Sequence, residues 1–451
     1  MAGGLKQVAF RFQPFSRKQK QILTWWLPES GVSDADGIIA DGAIRSGKTV
    51  CMSLAFIQWS MHSFNGQNFG MCGKTVGSFR RNVLSVLKQM LPARGYTIRD
   101  RRTDNLVVIS RGSTENYYYI FGGKDEGSQD LVQGITLAGI LLDEIALMPE
   151  SFVNQATGRC SVDGSKFWCN CNPAGPEHWF KKQWIDERQK RNLLYLHFTM
   201  EDNLSLSEQI RARYRAMYTG IFYRRYILGQ WCLAEGLVYE FDPERHVTHD
   251  LPECGEWYIS CDYGTLNPFS AGLWCVRDGV AVRVAEFYHS GREQQRQLTD
   301  EEYYRAIEQL AGDRDIRHIV VDPSAASFIA CIRSHKRFSV RKAKNDAMYG
   351  IRLTAMMLQA GVIKIGSGCK DAIREFGLYR WDDKGEVDKP VKENDHAMDD
   401  IRYFCATVMR RNHQARKIIG GICDEETDSK MDRRYGTYWG ESAVASRYQD
   451  A

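Results

Sequence analysis

What this chain lacks narrows its class first. Its thirteen cysteines are scattered, with no Cys-x-x-Cys pair and Cys169 and Cys171 as the nearest neighbours in sequence. That pattern argues against a zinc ribbon or a disulfide framework and for a reducing compartment. No apolar run approaches the roughly 18 residues that cross a bilayer, and the N-terminus lacks the apolar core of a signal peptide. A soluble intracellular protein is therefore expected, with no membrane partner. Bulk basic excess is also missing: the net charge is +4, so any nucleic-acid surface must come from local clustering. An apolar share of 43% and a charged share of 26% are ordinary for a globular chain, and 451 residues suffice for two or three domains.

What is present begins at residues 42–49, Gly-Ala-Ile-Arg-Ser-Gly-Lys-Thr, a complete G-x-x-x-x-G-K-[ST] phosphate loop. An apolar stretch, Gly37 to Asp41, leads into it and an apolar segment, Val50 to Trp59, leaves it, as a strand and a helix would. Gly42 and Gly47 let the backbone of Ala43, Ile44, Arg45 and Ser46 curl so that its N–H groups face phosphates. Lys48 offers a point charge to the β- and γ-phosphates, Thr49 a ligand to Mg²⁺, and the helix N-terminus its dipole. ATP with Mg²⁺ is the expected cofactor.

Residues 138–144, Ala-Gly-Ile-Leu-Leu-Asp-Glu, read as a central strand of a parallel sheet ending in two carboxylates. Asp143 is placed to hold the Mg²⁺ shell and Glu144 to activate the attacking water, which implies hydrolysis. Strand-like segments Asn68–Cys72, Leu106–Ser110 and Tyr117–Phe121 alternate with an amphipathic helix over Val76–Met90. The alternation predicts a doubly wound parallel sheet with nucleotide at the carboxyl ends of its strands, an additional-strand, catalytic-glutamate (ASCE) type of P-loop ATPase. A further strand ends in Asn170, Asn172 and Pro173, where Asn172 is the candidate γ-phosphate sensor. Arg45 and Arg159 are candidate arginine fingers, and Gln19 a candidate adenine contact.

Beyond residue 235 the pattern changes. Arg211 to Trp231 reads as helical, and residues 236–255, with Pro243 and Pro252, read as a linker. The strand Glu256–Gly264 carries Asp262; Pro268–Val276 and Val280–Tyr288 form a hairpin through Asp278-Gly279. A helix over Thr299–Leu310 and a strand over Ile316–Val321 bring Asp322, and a last helix brings His396, Asp399 and Asp400. This order matches the ribonuclease H-like nucleases with their mixed sheet. There, two Mg²⁺ or Mn²⁺ ions about 4 Å apart need hard oxygen ligands from separate elements. Asp262, Asp322 and Asp399 are the candidate ligands, with His396 on the face of Asp399 as ligand or outer partner. Asp400 points about 100° away, and Glu286 reads as solvated. Lys336, Arg337, Arg341, Lys342 and Lys344 form a basic run suited to DNA phosphates. Four segments follow: 1–235 motor, 236–255 linker, 256–412 nuclease and 413–451 a polar, flexible tail.

Taken together, these motifs resemble the large terminase subunits of tailed bacteriophages, the PBSX-like group in particular. The resemblance rests on the phosphate loop with Arg45, the Leu-Leu-Asp143-Glu144 strand, and Asn172-Pro173 with His178-Trp179-Phe180. It also rests on the Gly220–Trp231 segment, Asp262-Tyr-Gly, Asp322-Pro-Ser and Asp395-His-Ala-Met-Asp399-x-Ile-Arg-Tyr403. It implies a motor that drives double-stranded DNA into a procapsid and a nuclease that cuts concatemers. It further implies a portal protein, a small terminase subunit and a homo-oligomeric ring, a pentamer, docked on the portal in the host cytoplasm. Asp400 departs from the small residue the family often carries there, a change that bears on the metal-site geometry. A host repair or defence ATPase–nuclease, or an ATP-dependent switch with a degenerate nuclease, stays open on the residues alone.

Overall fold

The apolar run before the phosphate loop forms the heart of a sheet in the computed structural model, which describes residues 14–264, 267–292, 294–382 and 388–419. The described chain divides into two units, one of 14–211 with 224–232 and one of 212–223 with 233–419.

The first unit holds eight strands: β1 (Gly37–Gly42), β2 (Asn68–Gly73), β3 (Thr97–Arg101), β4 (Leu106–Arg111), β5 (Thr114–Gly122), β6 (Gly139–Asp143), β7 (Lys166–Asn170) and β8 (Leu193–Phe198). Their order is β3-β4-β5-β2-β6-β7-β1-β8. From β5 to β8 every pairing is parallel, whereas β3-β4-β5 is an antiparallel meander. The expected parallel sheet is therefore mixed at one edge: Leu106–Arg111 returns as a hairpin because only Gly112 and Ser113 separate it from β5. The helix Lys48–Ser63 buries residues on nearly every side, including Met52, Phe56, Ile57 and Trp59. It packs on the sheet through an aromatic cluster in which the Phe56 ring lies 5.8 Å from Phe69 and 6.0 Å from Trp168. An all-round apolar helix is what such burial requires. The expected helix over 76–90 is interrupted by a π-helical turn at Arg80–Leu84.

The second unit has seven strands: β9 (Val247–Thr248), β10 (Glu256–Asp262), β11 (Phe269–Arg277), β12 (Val280–His289), β13 (Ile316–Val321), β14 (Val340–Lys342) and β15 (Ile363–Gly366), ordered β14-β13-β10-β11-β12-β15-β9. The meander β10-β11-β12 is antiparallel, with Asp278 and Gly279 both at positive φ (51° and 82°) in its two-residue turn. That is the geometry such hairpins favour. Parallel strands β13 and β14 extend the sheet on one side, β15 and β9 on the other.

Three further segments differ from expectation. The stretch 236–255 is not irregular throughout: Asp242 caps a short helix, Pro243–His246, and β9 follows as an edge strand. Pro243 starts that helix, where its missing N–H costs nothing, instead of breaking a chain. Arg211 to Trp231 is not one helix: Glu208–Met217 ends before Gly220, and Gly229 at φ 71° closes the following turn. Of the tail, His413–Ile418 is helical with Asn412 as its cap, while 420–451 lies outside the described residues.

Candidate functional site

Two sites emerge, one in each unit. In the first, β1 runs into the phosphate loop, and Gly42 takes φ 118°. A Cβ at Gly42 would strike the Phe198 carbonyl, the same oxygen that accepts the Ala43 N–H at 2.8 Å, so only glycine fits. Gly47, at φ 84°, opens the helix. Lys48 is buried, and its ammonium donates to the carbonyls of Gly42 (3.1 Å) and Ala43 (2.6 Å), to Ser46 Oγ (3.2 Å) and to Asn172 Oδ1 (3.3 Å). Burial lowers the Lys48 pKa to about 8, against the opposing pull of Cys171, Asp41, Glu144 and Asp143.

The two motifs of this site meet. Thr49 Oγ1 donates to Asp143 Oδ1 at 3.2 Å, bridging residues 94 positions apart. Parallel pairing of β6 with β7 sets Asp143 opposite Asn170, and the Asn170 Oδ1 accepts the Glu144 N–H at 3.2 Å. Glu144 leaves the strand at φ 59°, a left-handed conformation that costs a non-glycine residue on the order of 1 kcal/mol and needs such support. Arg45 is the matching case in the loop, at φ 58°, with its carbonyl held by Asn203 Nδ2 at 2.7 Å.

Gln19, the candidate adenine contact, lies at this loop. Its amide accepts from Ser16 N (3.0 Å) and donates to the Ser46 carbonyl (3.1 Å), so it braces the loop backbone. Asp41, unassigned in the sequence, is fully buried; it bonds His197 Nδ1 at 2.9 Å and accepts the Trp231 Nε1–H at 2.6 Å. A charged residue inside an otherwise apolar strand was the available signal. Arg159 follows the helix Glu150–Thr157, half-buried, and its carbonyl accepts the Leu137 N–H.

In the second unit, Cys261 pairs with Val321 across the parallel strands β10 and β13, which puts Asp262 and Asp322 side by side at their carboxyl ends. The helix His396–Thr407 packs on this sheet and brings His396 and Asp399. His396 Nδ1 sits 2.9 Å from Asp262 Oδ2. Arg402 donates to Asp399 Oδ1 through Nε (3.1 Å) and Nη2 (2.8 Å) and to the Asn345 carbonyl through Nη1. Asp322 accepts from the backbone N–H of Ser324 at 2.7 Å and from its hydroxyl at 2.5 Å.

The electrostatics separate these acids. Burial, then repulsion from Asp399, raises Asp262 to about 6, although the His396 hydrogen bond pulls the other way. Burial also acts on Asp322, but the Ser324 and Tyr403 hydrogen bonds outweigh it and hold that carboxyl below its ordinary value. Burial lowers His396, yet Asp262 overcomes this and its pKa rises. His396 and Asp262 thus form a hydrogen-bonded pair at the sheet end.

Asp262, Asp322, Asp399 and His396 do not bring three ligand atoms within 4.8 Å of one another. Among the described residues only Glu301, Cys331 and His335 do so. The acids share one sheet end without converging on a single point. The donor set of the three acids is hard oxygen, which fits Mg²⁺ or Mn²⁺.

Comparison with known proteins decides the family. A family model described as the N-terminal part of the T4likevirus-type terminase large subunit matches residues 39–245. The large terminase of a thermophilic bacteriophage is 53% identical, with a TM-score of 0.84 over 88% of this chain and all of that one. The same phage enzyme in complex with ADP matches at 53% identity and a TM-score of 0.81, and in complex with ATP-γ-S at 52% and 0.80, with the same coverage of both chains. No curated protein matches.

The chain belongs to the large terminase family.

Asp400, beside the candidate ligand Asp399, has a separate physical role in this terminase. Asp400 is fully buried and turns away from the acids: Arg283 donates to it through Nη1 and Nη2 (3.0 Å for the latter), as do Ser260 Oγ at 2.8 Å and Ser270 Oγ. A Cβ on Gly272 would collide with the Arg283 guanidinium, so the glycine makes room for the pair. Glu286 is not solvated in this terminase. Its oxygens accept the N–H groups of Asp371 (2.7 Å) and Ala372 (3.2 Å), capping the helix Lys370–Phe376, and Arg283 approaches it at 3.4 Å. Glu375, missed in the sequence, is fully buried and accepts the Ala397 N–H at 2.7 Å and the Tyr288 hydroxyl at 2.7 Å. It thus caps the helix that carries His396 and Asp399. In the basic run, Arg337 is paired with Glu308 at 3.1 Å, while Arg341 and Lys342 ride the edge strand β14 beside Val320 and Val321.

Proposed function

We propose that this large terminase is a DNA-packaging motor and nuclease: it hydrolyses ATP to drive double-stranded DNA into procapsids and cuts concatemeric DNA. The contact between Thr49 and Asp143 carries the motor half, because it joins the two nucleotide motifs at the carboxyl ends of parallel strands. ADP and ATP-γ-S in the complexes of the thermophilic phage terminase support the same nucleotide here.

In this reading the loop N–H groups and Lys48 receive the phosphates, with Lys48 exchanging its carbonyl acceptors for phosphate oxygens. Thr49 and Asp143 would hold Mg²⁺, which when bound would offset the negative charge of the nucleotide. Glu144 accepts a proton from the attacking water, with Asn170 fixing its peptide. Asn172, already bonded to Lys48, reports the state of the γ-phosphate, and Arg45 or Arg159 supplies the finger. Gln19 would brace the loop and remains the candidate contact to the base.

In the nuclease half, Asp262, Asp322 and Asp399 would hold two Mg²⁺ or Mn²⁺ ions, which when bound would supply Lewis-acid charge stabilisation. His396 orients Asp262, Arg402 orients Asp399, and Ser324 keeps Asp322 ionised. Residues 1–235 and 256–412 form the motor and nuclease domains. The chain works as a ring, a pentamer, on a portal in the host cytoplasm, supplied with DNA by a small terminase subunit. ATP turnover with and without DNA tests the motor: stimulation by DNA, absent in Glu144→Ala, is expected. Unchanged turnover in Glu144→Ala would remove that residue from the chemistry.

A further inference from the structure

A cluster outside both sites has the geometry and chemistry of a metal site of another kind. Cys331 lies in the helix Ala326–Ser334 and His335 is its C-cap, one turn further on, so both face the same side. Glu301 reaches them from the first turn of the neighbouring helix Asp300–Ala311. His335 Nε2 is 2.9 Å from Glu301 Oε1 and 3.1 Å from Oε2, and the Cys331 thiol donates to Oε2 at 3.4 Å. The three ligand atoms lie within 4.8 Å of one another. Donors around a tetrahedral Zn²⁺, with bonds of about 2.0–2.3 Å, stand about 3.5 Å apart. Tyr304 stacks on His335, with ring centroids 3.8 Å apart and planes 6° from parallel, which fixes the imidazole.

We infer that Glu301, Cys331 and His335 bind a transition-metal ion of the Zn²⁺ or Co²⁺ class, pinning the helix Ala326–Ser334 to the helix Asp300–Ala311. The thiolate and imidazole select such an ion over Mg²⁺, whose hard-oxygen preference matches the aspartates instead. A hydrogen-bonded surface cluster is the competing account, and it leaves the three donors satisfied without an ion. Two features favour the metal. The donors differ in kind, where a purely electrostatic cluster needs no sulfur, and the stacked Tyr304 holds the imidazole with its Nε2 toward the other two. On binding, sulfur forms the metal bond, its proton passes to solvent, and Glu301 exchanges that hydrogen bond for coordination. The pinned helix begins just past Asp322 and Ser324, so an ion here stiffens the mount of the second nuclease acid. The inference stands whether or not that acid binds metal.

Titration of the full chain with Co²⁺, in excess Mg²⁺ to fill the hard-oxygen sites, tests this. A sulfur-to-cobalt charge-transfer band saturating at about one equivalent is expected. It should vanish in Cys331→Ser and need more than about tenfold more Co²⁺ in His335→Ala and Glu301→Gln. Zn²⁺ should raise the thermal midpoint of the parent chain but not of Cys331→Ser. Absence of the band, or a band that persists in Cys331→Ser, overturns the inference, the second by assigning the sulfur to another cysteine. All three side chains are half-buried or exposed, so the variants are expected to fold.

Discussion

The nucleotide loop and the aspartate cluster build their sites in opposite ways. The loop is one continuous stretch of eight residues, and its backbone does most of the work; the far motif, Asp143-Glu144, needs only β6 set one strand away from β1, with β7 between them. The aspartates come from β10, the end of β13 and a helix, and each relies on a separate support: His396 for Asp262, Ser324 for Asp322, Arg402 for Asp399. A site made of backbone is robust to its surroundings. One made of distant carboxylates is only as well placed as the residues behind them.

The comparison can be broken at its strongest point first. Lys48→Ala removes the one buried charge of the loop, and ATP turnover should fall about a thousandfold or more, near 4 kcal/mol of barrier. Steady-state hydrolysis with normal folding by circular dichroism checks it. Next comes the buried pair behind the aspartates. Asp400→Ala leaves the buried Arg283 with the longer 3.4 Å pairing to Glu286 in place of its close partner, and urea unfolding should show a loss of about 3 kcal/mol. Replacing both, as Asp400→Ala with Arg283→Met, should recover much of it.

A smaller effect sharpens the contrast from the loop side. Asn170→Ala frees the Glu144 peptide, and kcat should drop about a hundredfold with little change in nucleotide affinity. Equilibrium nucleotide binding measured beside kcat separates the two. The smallest effect depends on pH. Burial raises Glu375 from 4.5 to about 7, so it is protonated in the folded protein over a range where the unfolded chain has ionised. Its stabilising contribution is complete below 4.5 and lost as pH rises through 7. Glu375→Gln should flatten that decline by about 1–3 kcal/mol, read as the difference between the two proteins across roughly pH 4 to 8.

The same contrast explains what the sequence disclosed. Lys48, Thr49, Asp143 and the order of the three aspartates are legible because a fixed spacing, or a strand end, carries each. Arg283 and Asp400 lie 117 positions apart and meet only through the register of β11 against β12 and the seating of the helix His396–Thr407, so no spacing announces them. Glu286 reads as solvated because a strand-end acid usually is, and nothing local marks it as the cap of a helix 85 residues onward. Gln19 is legible as a residue of this region, whereas its bonds to Ser16 and Ser46 depend on how the first helix lies against the loop. The antiparallel edge of the first sheet escapes the sequence for a simpler reason: β3, Thr97–Arg101, is too polar to read as a strand.

Plasmid cleavage in Mn²⁺, followed with ATP turnover on the same preparation of Asp262→Asn, probes the account most directly. Intact plasmid with ATP turnover at the parental rate is the predicted result. Cleavage at the parental rate would contradict it, and would take the aspartates out of the reaction.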